Sequence, residues 1–531
     1  MTGTQLAPMS RRDLLMRVGT AAGSAVMYQA MTSLGFAQAS DYKGPIELKG
    51  DPKGASVLIL GAGLAGMVAA LELRKAGYKV RILEYQDRAG GRCWTLRGGD
   101  AYVELGGARQ VCGFDQGLYL NPGPWRIPFH HYGLLDYCKR LGVALQPFVQ
   151  VNHNAYLHAS RAFGGKPQRY GQVQSDFYGH LAELLAKAAR QDALDEAVTP
   201  DDKAILLEAL RSWGALDRNY AYREGLAASE RRGWAVEPRG GLDAAPEPSR
   251  PIGFHDLLRS GLWQNLGVAL LYEFQAPLFQ PVGGMDMIGK AFAREVGDLI
   301  GFGAKVTAIT QDAGGVTVAY ADERNGGQVR QERADWCLCT IPLPILSQIE
   351  LNVGAPLQNA IDAVAYTPSV KIGLQFKRRF WEEDEGIFGG ISYTDLPITQ
   401  ISYPSADYLR GGKGVLLGAY AFGVPAVEFT ALSPEERVRK AVEEGARIHP
   451  QYRAEFDGGI SVAWHRVPWV LGCYAMWTGQ TRQEHYRALA GIDGRVVLAG
   501  EHVSYLNGWQ EGAILSSLDA VARLHERVLA G

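Results

Sequence analysis

The stretch over residues 55–84 constrains the fold of this chain more than any other. It opens with an apolar run at 57–60, which is typical of a parallel strand buried on both faces. Gly61, Gly63 and Gly66 follow at GxGxxG spacing, and a second apolar run ends in Glu84. The first glycine allows a tight turn, the second lets backbone N–H groups approach a pyrophosphate, and the third lets the helix pack closely on the strand. The acid accepts hydrogen bonds from the hydroxyl groups of a ribose. The stretch therefore predicts an α/β fold with a Rossmann-type dinucleotide site.

The residues that follow the second strand indicate which dinucleotide binds. Arg88-Ala-Gly-Gly91-Arg92-Cys-Trp-Thr95 resembles the RxGGRxxT signature of the flavin amine oxidase family, which includes monoamine, polyamine and L-amino acid oxidases. In that family the paired glycines and the second arginine lie against the diphosphate and the flavin. The resemblance implies FAD as cofactor and an amine oxidase architecture, with a mixed-sheet substrate domain and an inserted helical region.

Two later segments extend the resemblance. Residues 497–501 and 508–513 resemble the family's C-terminal FAD segment, in which the acid, here Glu501, holds the ribityl chain and a helix N-terminus faces the flavin pyrimidine. Trp509 occupies the position where an aromatic residue typically faces the substrate, and Val306 is similar to the valine that holds the adenine. The resemblance implies FAD contacts at Gly61, Gly63, Leu64, Ala65, Gly66, Glu84, Gly91, Arg92, Gly107, Ala108, Val306, Gly500, Glu501, Trp509 and Ala513.

Lys371 lies in an apolar run at 368–376 and matches the family's lysine, which holds a water near flavin N5. Its expected role is catalytic, either in the reaction with O2 or in hydrolysis of the product imine. Cys473 lies where monoamine oxidases carry the cysteine bonded to the flavin. L-amino acid oxidases usually have no cysteine there, so we expect non-covalent FAD, with a covalent link as the alternative.

The substrate class depends on arginine, because a bidentate guanidinium is the natural partner of an α-carboxylate. Residues 123–131, with Arg126, resemble the G-P-x-R-L-P-x-x-H segment of L-amino acid oxidases, whose arginine binds that carboxylate. Arg109, in Glu104-x-Gly-x-x-Arg109, matches the residues just before the same arginine. The family has one continuous run, whereas an insertion splits it here. We favour Arg126, since more of its neighbours match.

Composition excludes several other classes of function. The net charge of −2 over 531 residues leaves no basic footprint for nucleic acid. The six cysteines form no CxxC, and the histidines show no metal-ligand spacing, so no metal site is expected. We expect a small-molecule L-amino acid and O2 as reaction partners, and a homodimer by analogy with the family.

The N-terminus predicts export. Ser10-Arg11-Arg12-Asp13-Leu14-Leu15 looks like a twin-arginine signal, and Ala37-Gln38-Ala39 is a plausible cleavage site. The run between them is too polar for a stable membrane anchor. The mature protein would therefore be periplasmic or secreted, and exported already folded.

The order of motifs predicts discontinuous domains. A signal peptide covers 1–39, FAD-binding parts cover 40–125, 277–345 and 470–531, a helical substrate region covers 126–276, and a substrate domain covers 346–469. Within the helical region we expect a surface loop over 222–247 and a helix over 254–279.

The resulting hypothesis is an FAD-dependent L-amino acid oxidase that forms a 2-oxo acid, ammonia and hydrogen peroxide. The alternatives are a primary amine or polyamine oxidase, or an amino acid 2-monooxygenase, of the same fold. A rival of another class is a flavin-binding protein without oxidase activity.

Overall fold

The structure is a computed structural model that describes residues 40–191, 193 and 199–531. The export signal and cleavage site expected within residues 1–39 lie outside this part of the chain.

The helices are Leu64–Lys75, Tyr132–Arg140, Tyr170–Arg190, Pro200–Trp213, Leu226–Arg232, Phe254–Ser260, Asp286–Val296, Leu343–Leu346, Ala355–Ala363, Phe380–Glu383, Gly423–Thr430, Pro434–Gly445, Tyr452–Glu455, Gly479–Ala490 and Gln510–Ala530. Shorter 3-10 helices span Phe163–Gly165, Leu262–Leu270, Tyr272–Phe274, Gly297–Leu299, Glu323–Asn325, Trp464–Arg466 and Glu501–Val503.

A six-stranded sheet gathers strands from distant parts of the sequence. Its spatial order is Ile300–Phe302, Lys79–Glu84, Ser56–Leu60, Trp336–Cys339, Val496–Leu498 and Ile492–Asp493, parallel except for the last strand. The central strand Ser56–Leu60 is buried over its last four residues, as its continuous apolar run predicts. The helices Leu64–Lys75 and Gln510–Ala530 pack together against the sheet. The expected α/β class is confirmed.

A seven-stranded mixed sheet forms the second large layer. It runs Gln168–Arg169, Tyr156–His158, Ile391–Thr394, Gln400–Ser402, Gly414–Phe422, Ser369–Phe376 and Phe456–Ala463. Every residue of the strand Ser369–Phe376 is buried, because sheet neighbours pair with both of its edges and helices such as Pro434–Gly445 pack on it.

Smaller sheets connect these layers. One has four strands, Gln328–Ala334, Gly315–Asp322, Ala304–Asp312 and Glu350–Leu351, and another has three, Ile127–Pro128, Leu278–Pro281 and Leu145–Phe148. Two-stranded ribbons pair Leu96–Arg97 with Tyr119–Leu120, Ala101–Val103 with Arg109–Val111, and Trp234–Val236 with Glu247–Pro248. The domain boundaries expected from the sequence stay a prediction.

The segment 222–247 is not simply the surface loop that its polar composition predicts. It contains the helix Leu226–Arg232 and one strand of a ribbon, and the Arg232 guanidinium is fully buried against Asp176, with Nε 2.7 Å from Oδ1. Because a buried guanidinium must be paired, this ion pair ties the segment to the helix Tyr170–Arg190. A partner that lies 56 residues away cannot be identified from the local pattern.

The segment 254–279 is also only partly the helix that was expected. The helix Phe254–Ser260 ends at Gly261, which has a left-handed φ of 71°, and irregular 3-10 turns follow before the strand Leu278–Pro281. Over the described ranges, no helix is long and apolar enough to cross a membrane. All six cysteines are free thiols.

Candidate functional site

A cavity of about 2180 Å³ opens at the carboxyl ends of the parallel strands, where ligands of such sheets bind. Its wall begins at Gly61, Gly63 and the start of the helix Leu64–Lys75. That helix has no acidic residue in its first turn, so its positive end faces the cavity uncompensated. A Cβ on Gly66 would lie 2.0 Å from the Gly61 carbonyl oxygen, which explains why helix and strand can approach so closely only with glycine there.

Glu84 is held against this turn. One carboxylate oxygen accepts from the Ala62 amide at 2.6 Å, and the other accepts from the Gln86 amide at 2.8 Å. The side chain is buried at the cavity wall, and burial raises the pKa of its carboxyl above the usual value. The remaining lone pairs can accept from a ribose.

Arg92 and Glu501 join two distant motifs at the cavity wall. Arg92 Nη1 donates to Glu501 Oε1 at 2.8 Å and to the Cys473 carbonyl at 2.8 Å. Glu501 also accepts from the amides of Ala475 and Gly508. Burial alone would raise the pKa of Glu501, but the charge of Arg92, together with smaller contributions from His502 and from hydrogen bonds donated by Arg92 and Gly508, holds that pKa below its usual value. The carboxylate is therefore ionised and fixed in position.

The helix Gln510–Ala530 directs its N-terminus at the same cavity, where Trp509 and Ala513 form part of the wall. Its first-turn acid, Glu511, turns away from the cavity and accepts from the amides of Gly133 and Leu134 at 2.9 and 2.6 Å. The positive end of this helix is therefore left to stabilise negative charge inside the cavity.

Arg126 lies in the wall between two aromatic rings. Its Cζ is 5.0 Å from the Trp125 ring centre and 4.2 Å from that of Phe274, and the residue is 4 % exposed. Phe274 in turn lies 6.4 Å from Trp509, so an aromatic surface connects the guanidinium to the helix N-terminus. A buried guanidinium at a cavity wall can hold an anionic group of a ligand.

Lys371 lies behind this wall on the strand Ser369–Phe376. Its Nζ donates to the carbonyl oxygens of Gly123 at 2.5 Å and Asn121 at 3.3 Å, and lies 4.6 Å from the Trp125 ring centre and 4.4 Å from that of Tyr420. Burial, with a smaller contribution from the charge of Arg126, lowers the pKa of the lysine well below its usual value. This shift favours the neutral form of the amine, which can exchange a proton.

Most of the residues expected to contact the cofactor surround the cavity. Its lining includes Gly61, Gly63, Leu64, Ala65, Glu84, Gly91, Arg92, Val306, Gly500, Glu501, Trp509 and Ala513, together with Arg126 and Cys473. Gly66 instead packs the helix on its strand. Burial raises the pKa of the Cys473 thiol, which keeps its sulfur protonated.

Gly107, Ala108 and Arg109 lie elsewhere than the family resemblance implies. Gly107 and Ala108 lie in the turn that joins the ribbon strands Ala101–Val103 and Arg109–Val111, and Arg109 is exposed on the second strand. Glu104 anchors the ribbon to Arg437, with oxygen–nitrogen distances of 2.7 and 2.8 Å, rather than to the cavity. These three positions are therefore outside the lining, and Arg126 is within it.

Several cavity residues were not found from the sequence. The aromatic rings of Trp125, Tyr420, Trp464 and Trp469 line the cavity, as does Glu273. The sequence signal for Glu273 is that it is a single acid within the apolar run 268–274. Among the described residues, no cluster of His, Cys, Asp and Glu side chains could hold a metal ion.

The wall fits FAD. The turn of backbone N–H groups at one helix N-terminus suits a pyrophosphate, and the carboxylate 22 residues along the chain from Ala62 suits a ribose. The second helix N-terminus in the wall suits an electron-accepting ring. The volume exceeds the roughly 300–1,000 Å³ of ordinary small-molecule pockets, which leaves room for a substrate beside the cofactor.

Comparison with known proteins agrees with this geometry. The family described as flavin-containing amine oxidoreductase matches residues 64–525. An L-amino-acid oxidase of Siganus canaliculatus is 30 % identical over 490 residues, covering 89 % of this chain and 86 % of that protein. An L-amino-acid oxidase of Vipera ammodytes ammodytes is 28 % identical, covering 87 % and 91 %.

Solved structures share the fold. A cyclohexylamine oxidase from Brevibacterium oxydans superposes with a TM-score of 0.58 at 16 % identity, covering 90 % of this chain and 100 % of that one. Putrescine oxidase bound to putrescine superposes with a TM-score of 0.56 at 18 % identity, covering 90 % and 99 %.

Proposed function

Because the chain belongs to the flavin-containing amine oxidoreductase family, we propose that it is an FAD-dependent L-amino acid oxidase. It would convert an L-amino acid and O2 to a 2-oxo acid, ammonia and hydrogen peroxide. The two relatives named above are L-amino-acid oxidases, and they match this chain over most of their lengths. Their similarity supports this assignment over the other activities of the fold.

The cofactor is FAD, and we assign its contacts as follows. The first turn of the helix Leu64–Lys75 holds the pyrophosphate, Glu84 accepts from the adenosine ribose, and the backbone at Val306 flanks the adenine. Glu501, fixed by Arg92, accepts from the ribityl chain. When bound, FAD supplies the acceptor for two electrons from the substrate and passes them to O2.

The amino acid assignment rests on one observation, the buried position of Arg126 in the cavity wall. An α-carboxylate can form paired hydrogen bonds with a guanidinium, and such a contact is strong where water is excluded. Arg126 is 4 % exposed in the cavity wall, and rings on two sides restrict its orientation. Amines without a carboxylate gain nothing from it.

The protein's main contribution to the reaction is orientation. Arg126 fixes the carboxylate, the rings of Trp125 and Trp509 line the cavity beside it, and the substrate's Cα–H is then directed at the flavin. The aromatic lining excludes water from the reacting atoms. If the amine binds neutral, no enzymic base is needed.

Lys371 is assigned a proton-handling role. Its buried amine donates to the Gly123 carbonyl, and residue 123 is part of the cavity wall. An amine there can hold a water and move a proton in the reaction with O2 or in hydrolysis of the imine. Measurement of the two half-reactions separates these roles.

Export and assembly belong to the same proposal. The residues Arg11 and Arg12 and the segment 37–39 support twin-arginine export of the folded protein to the periplasm or beyond. A homodimer is proposed from the family resemblance. Fractionation of cells and light scattering on the purified protein test these two statements.

A simple amine oxidase is the second candidate, because the solved structures that share this fold are a putrescine oxidase and a cyclohexylamine oxidase. An anaerobic screen decides between them. The oxidised flavin should bleach with L-amino acids and not with amines that lack a carboxylate. Bleaching only by amines would replace the proposal, an amide product would indicate a monooxygenase, and no bleaching at all would indicate a flavin-binding protein without oxidase activity.

A further inference from the structure

Glu273 is a cavity residue that the reaction proposed above does not use. It lies in the 3-10 helix Tyr272–Phe274, is 1 % exposed and lines the cavity. Its two neighbours hold the segment in place, since the Tyr272 ring lies 4.5 Å from that of His130 and the Phe274 ring lies 4.2 Å from the Arg126 Cζ. The short helix therefore packs against Arg126 and places a buried carboxylate in the cavity wall beside it.

The carboxylate of Glu273 is unsatisfied. Neither oxygen accepts a hydrogen bond from another residue in the described part of the chain. The other two acids that line the cavity are different, because Glu84 accepts from two backbone amides and Glu501 is paired with Arg92. Buried polar groups are nearly always bonded, and a buried charge without a partner is strongly unfavourable. A donor on a ligand would satisfy it.

Arg126 and Glu273 line the same cavity, so one ligand can reach both side chains. Burial raises the pKa of Glu273, and the charge of Arg126 partly offsets that rise. A substrate whose α-carboxylate is held by Arg126 can extend its side chain along the cavity wall to Glu273.

We propose that Glu273 determines substrate specificity by binding a cationic side chain, so that the oxidase prefers L-amino acids ending in an ammonium or guanidinium group. This inference rests on the proposed L-amino acid oxidase activity and names its substrate class. A cationic side chain neutralises the buried carboxylate, while an apolar one leaves it unpaired. The methylene stem of such a side chain packs on the apolar and aromatic surface of the cavity, such as Trp125, while its charged end reaches the acid.

Matched substrates test this directly. L-lysine and L-norleucine differ only in the terminal ammonium, and L-arginine and L-citrulline differ mainly in the charge of the terminal group. A polar site discriminates strongly against a substrate that leaves its buried group unpaired. In the wild-type holoenzyme we expect kcat/KM for the cationic member of each pair to exceed that of the neutral member by roughly 100-fold.

The variants Glu273→Gln and Glu273→Leu remove the charge. We expect kcat/KM for L-lysine to fall roughly 100-fold while that for L-norleucine stays unchanged or rises, with unchanged flavin content. Activity toward L-norleucine reports folding, so a misfolded variant is recognised. Glu224→Gln, which alters an exposed acid 3.2 Å from Arg250, is the matched control and should leave both substrates unaffected.

Three results would overturn the inference. Equal losses of kcat/KM for L-lysine and L-norleucine in the Glu273 variants would mean that Glu273 binds the α-amine or orients Arg126. Unchanged kinetics would mean that it touches no substrate, and a wild-type preference for L-norleucine would contradict the assigned class. Failure of every L-amino acid to reduce the wild-type flavin would refute the proposed function itself, which is a distinct outcome.

Discussion

Arg92 Nη1 lies 2.8 Å from Glu501 Oε1, across 409 residues of sequence. Both side chains are largely buried, and the pair joins the RxGGR segment to the last strand–helix unit at the wall of the cavity. The cofactor site is therefore assembled by an ion pair between the two ends of the fold, rather than by either motif alone.

Removing the charge at this pair should weaken both flavin binding and folding. Glu501→Gln leaves the Arg92 guanidinium buried without its counter-ion, and breaking such a pair costs about 3–5 kcal/mol. We expect a lower flavin-to-protein absorbance ratio and a lower unfolding temperature. Glu332→Gln, in the more exposed Arg81–Glu332 pair at 3.1 Å, is the control and should cost about 1 kcal/mol or less. Equal losses in the two variants would argue against this role.

Alanine substitutions at two glycines of the nucleotide turn should affect different properties, one the stability of the protein and the other its affinity for FAD. A Cβ at Gly66 would lie 2.0 Å from the Gly61 carbonyl oxygen, so Gly66→Ala should destabilise the protein by about 1–3 kcal/mol or more. At Gly63 nothing lies within 4 Å and φ is −72°, so Gly63→Ala should fold normally yet bind FAD weakly. Thermal unfolding of the apoprotein and flavin titration measure these effects separately. A Gly63→Ala protein with full flavin affinity would contradict the assigned pyrophosphate site.

Lys371→Met should affect the oxidative half-reaction. Loss of a positioned proton-transfer group typically costs about 10²–10⁴-fold, so we expect kcat/KM for O2 to fall by roughly 100-fold while anaerobic flavin reduction changes little. Burial keeps the amine neutral well below the usual lysine pKa. In the wild-type enzyme, kcat/KM for O2 should therefore show no inflection as the pH passes about 10.4. Normal peroxide formation with delayed 2-oxo acid release would instead assign Lys371 to imine hydrolysis.

Cys473 should carry no covalent flavin. Thiolate is the nucleophilic form, and burial raises the pKa of this thiol, which disfavours attack on the flavin ring. Acid precipitation of the holoenzyme should leave yellow FAD in the supernatant, and Cys473→Ala should retain a normal flavin content. Flavin that stays with the precipitated wild-type protein and is released from the variant would establish the link.

Sequence patterns predict those parts of the site whose structure depends on the local geometry of the chain. The apolar run, glycine spacing and terminal acid at 56–84 predict the strand, turn and helix, because each feature is satisfied by near neighbours. The cavity lining at Val306 and Trp509 followed from motif resemblance.

Pairings between distant segments were not predictable in this way. Arg232 looks like a surface arginine until its partner Asp176 is known, and Arg109 looks like a carboxylate ligand until the ribbon carrying it is seen to turn outward. Glu273 belongs to the same class, since its cavity position depends on how irregular 3-10 turns pack over Arg126.

The amino acid assignment depends on Arg126 anchoring a carboxylated amine beside FAD. It is tested by the anaerobic rate of flavin reduction by an L-amino acid and by the amine that lacks its carboxylate, in wild-type, Arg126→Met and Arg109→Met proteins. Loss of a buried charge partner costs about 2–5 kcal/mol, so the amino acid rate constant over Kd should fall about 30- to 4,000-fold in Arg126→Met and remain unchanged in Arg109→Met. Equal wild-type rates for the amino acid and its amine, unaltered in Arg126→Met, would exclude a carboxylate anchor at Arg126.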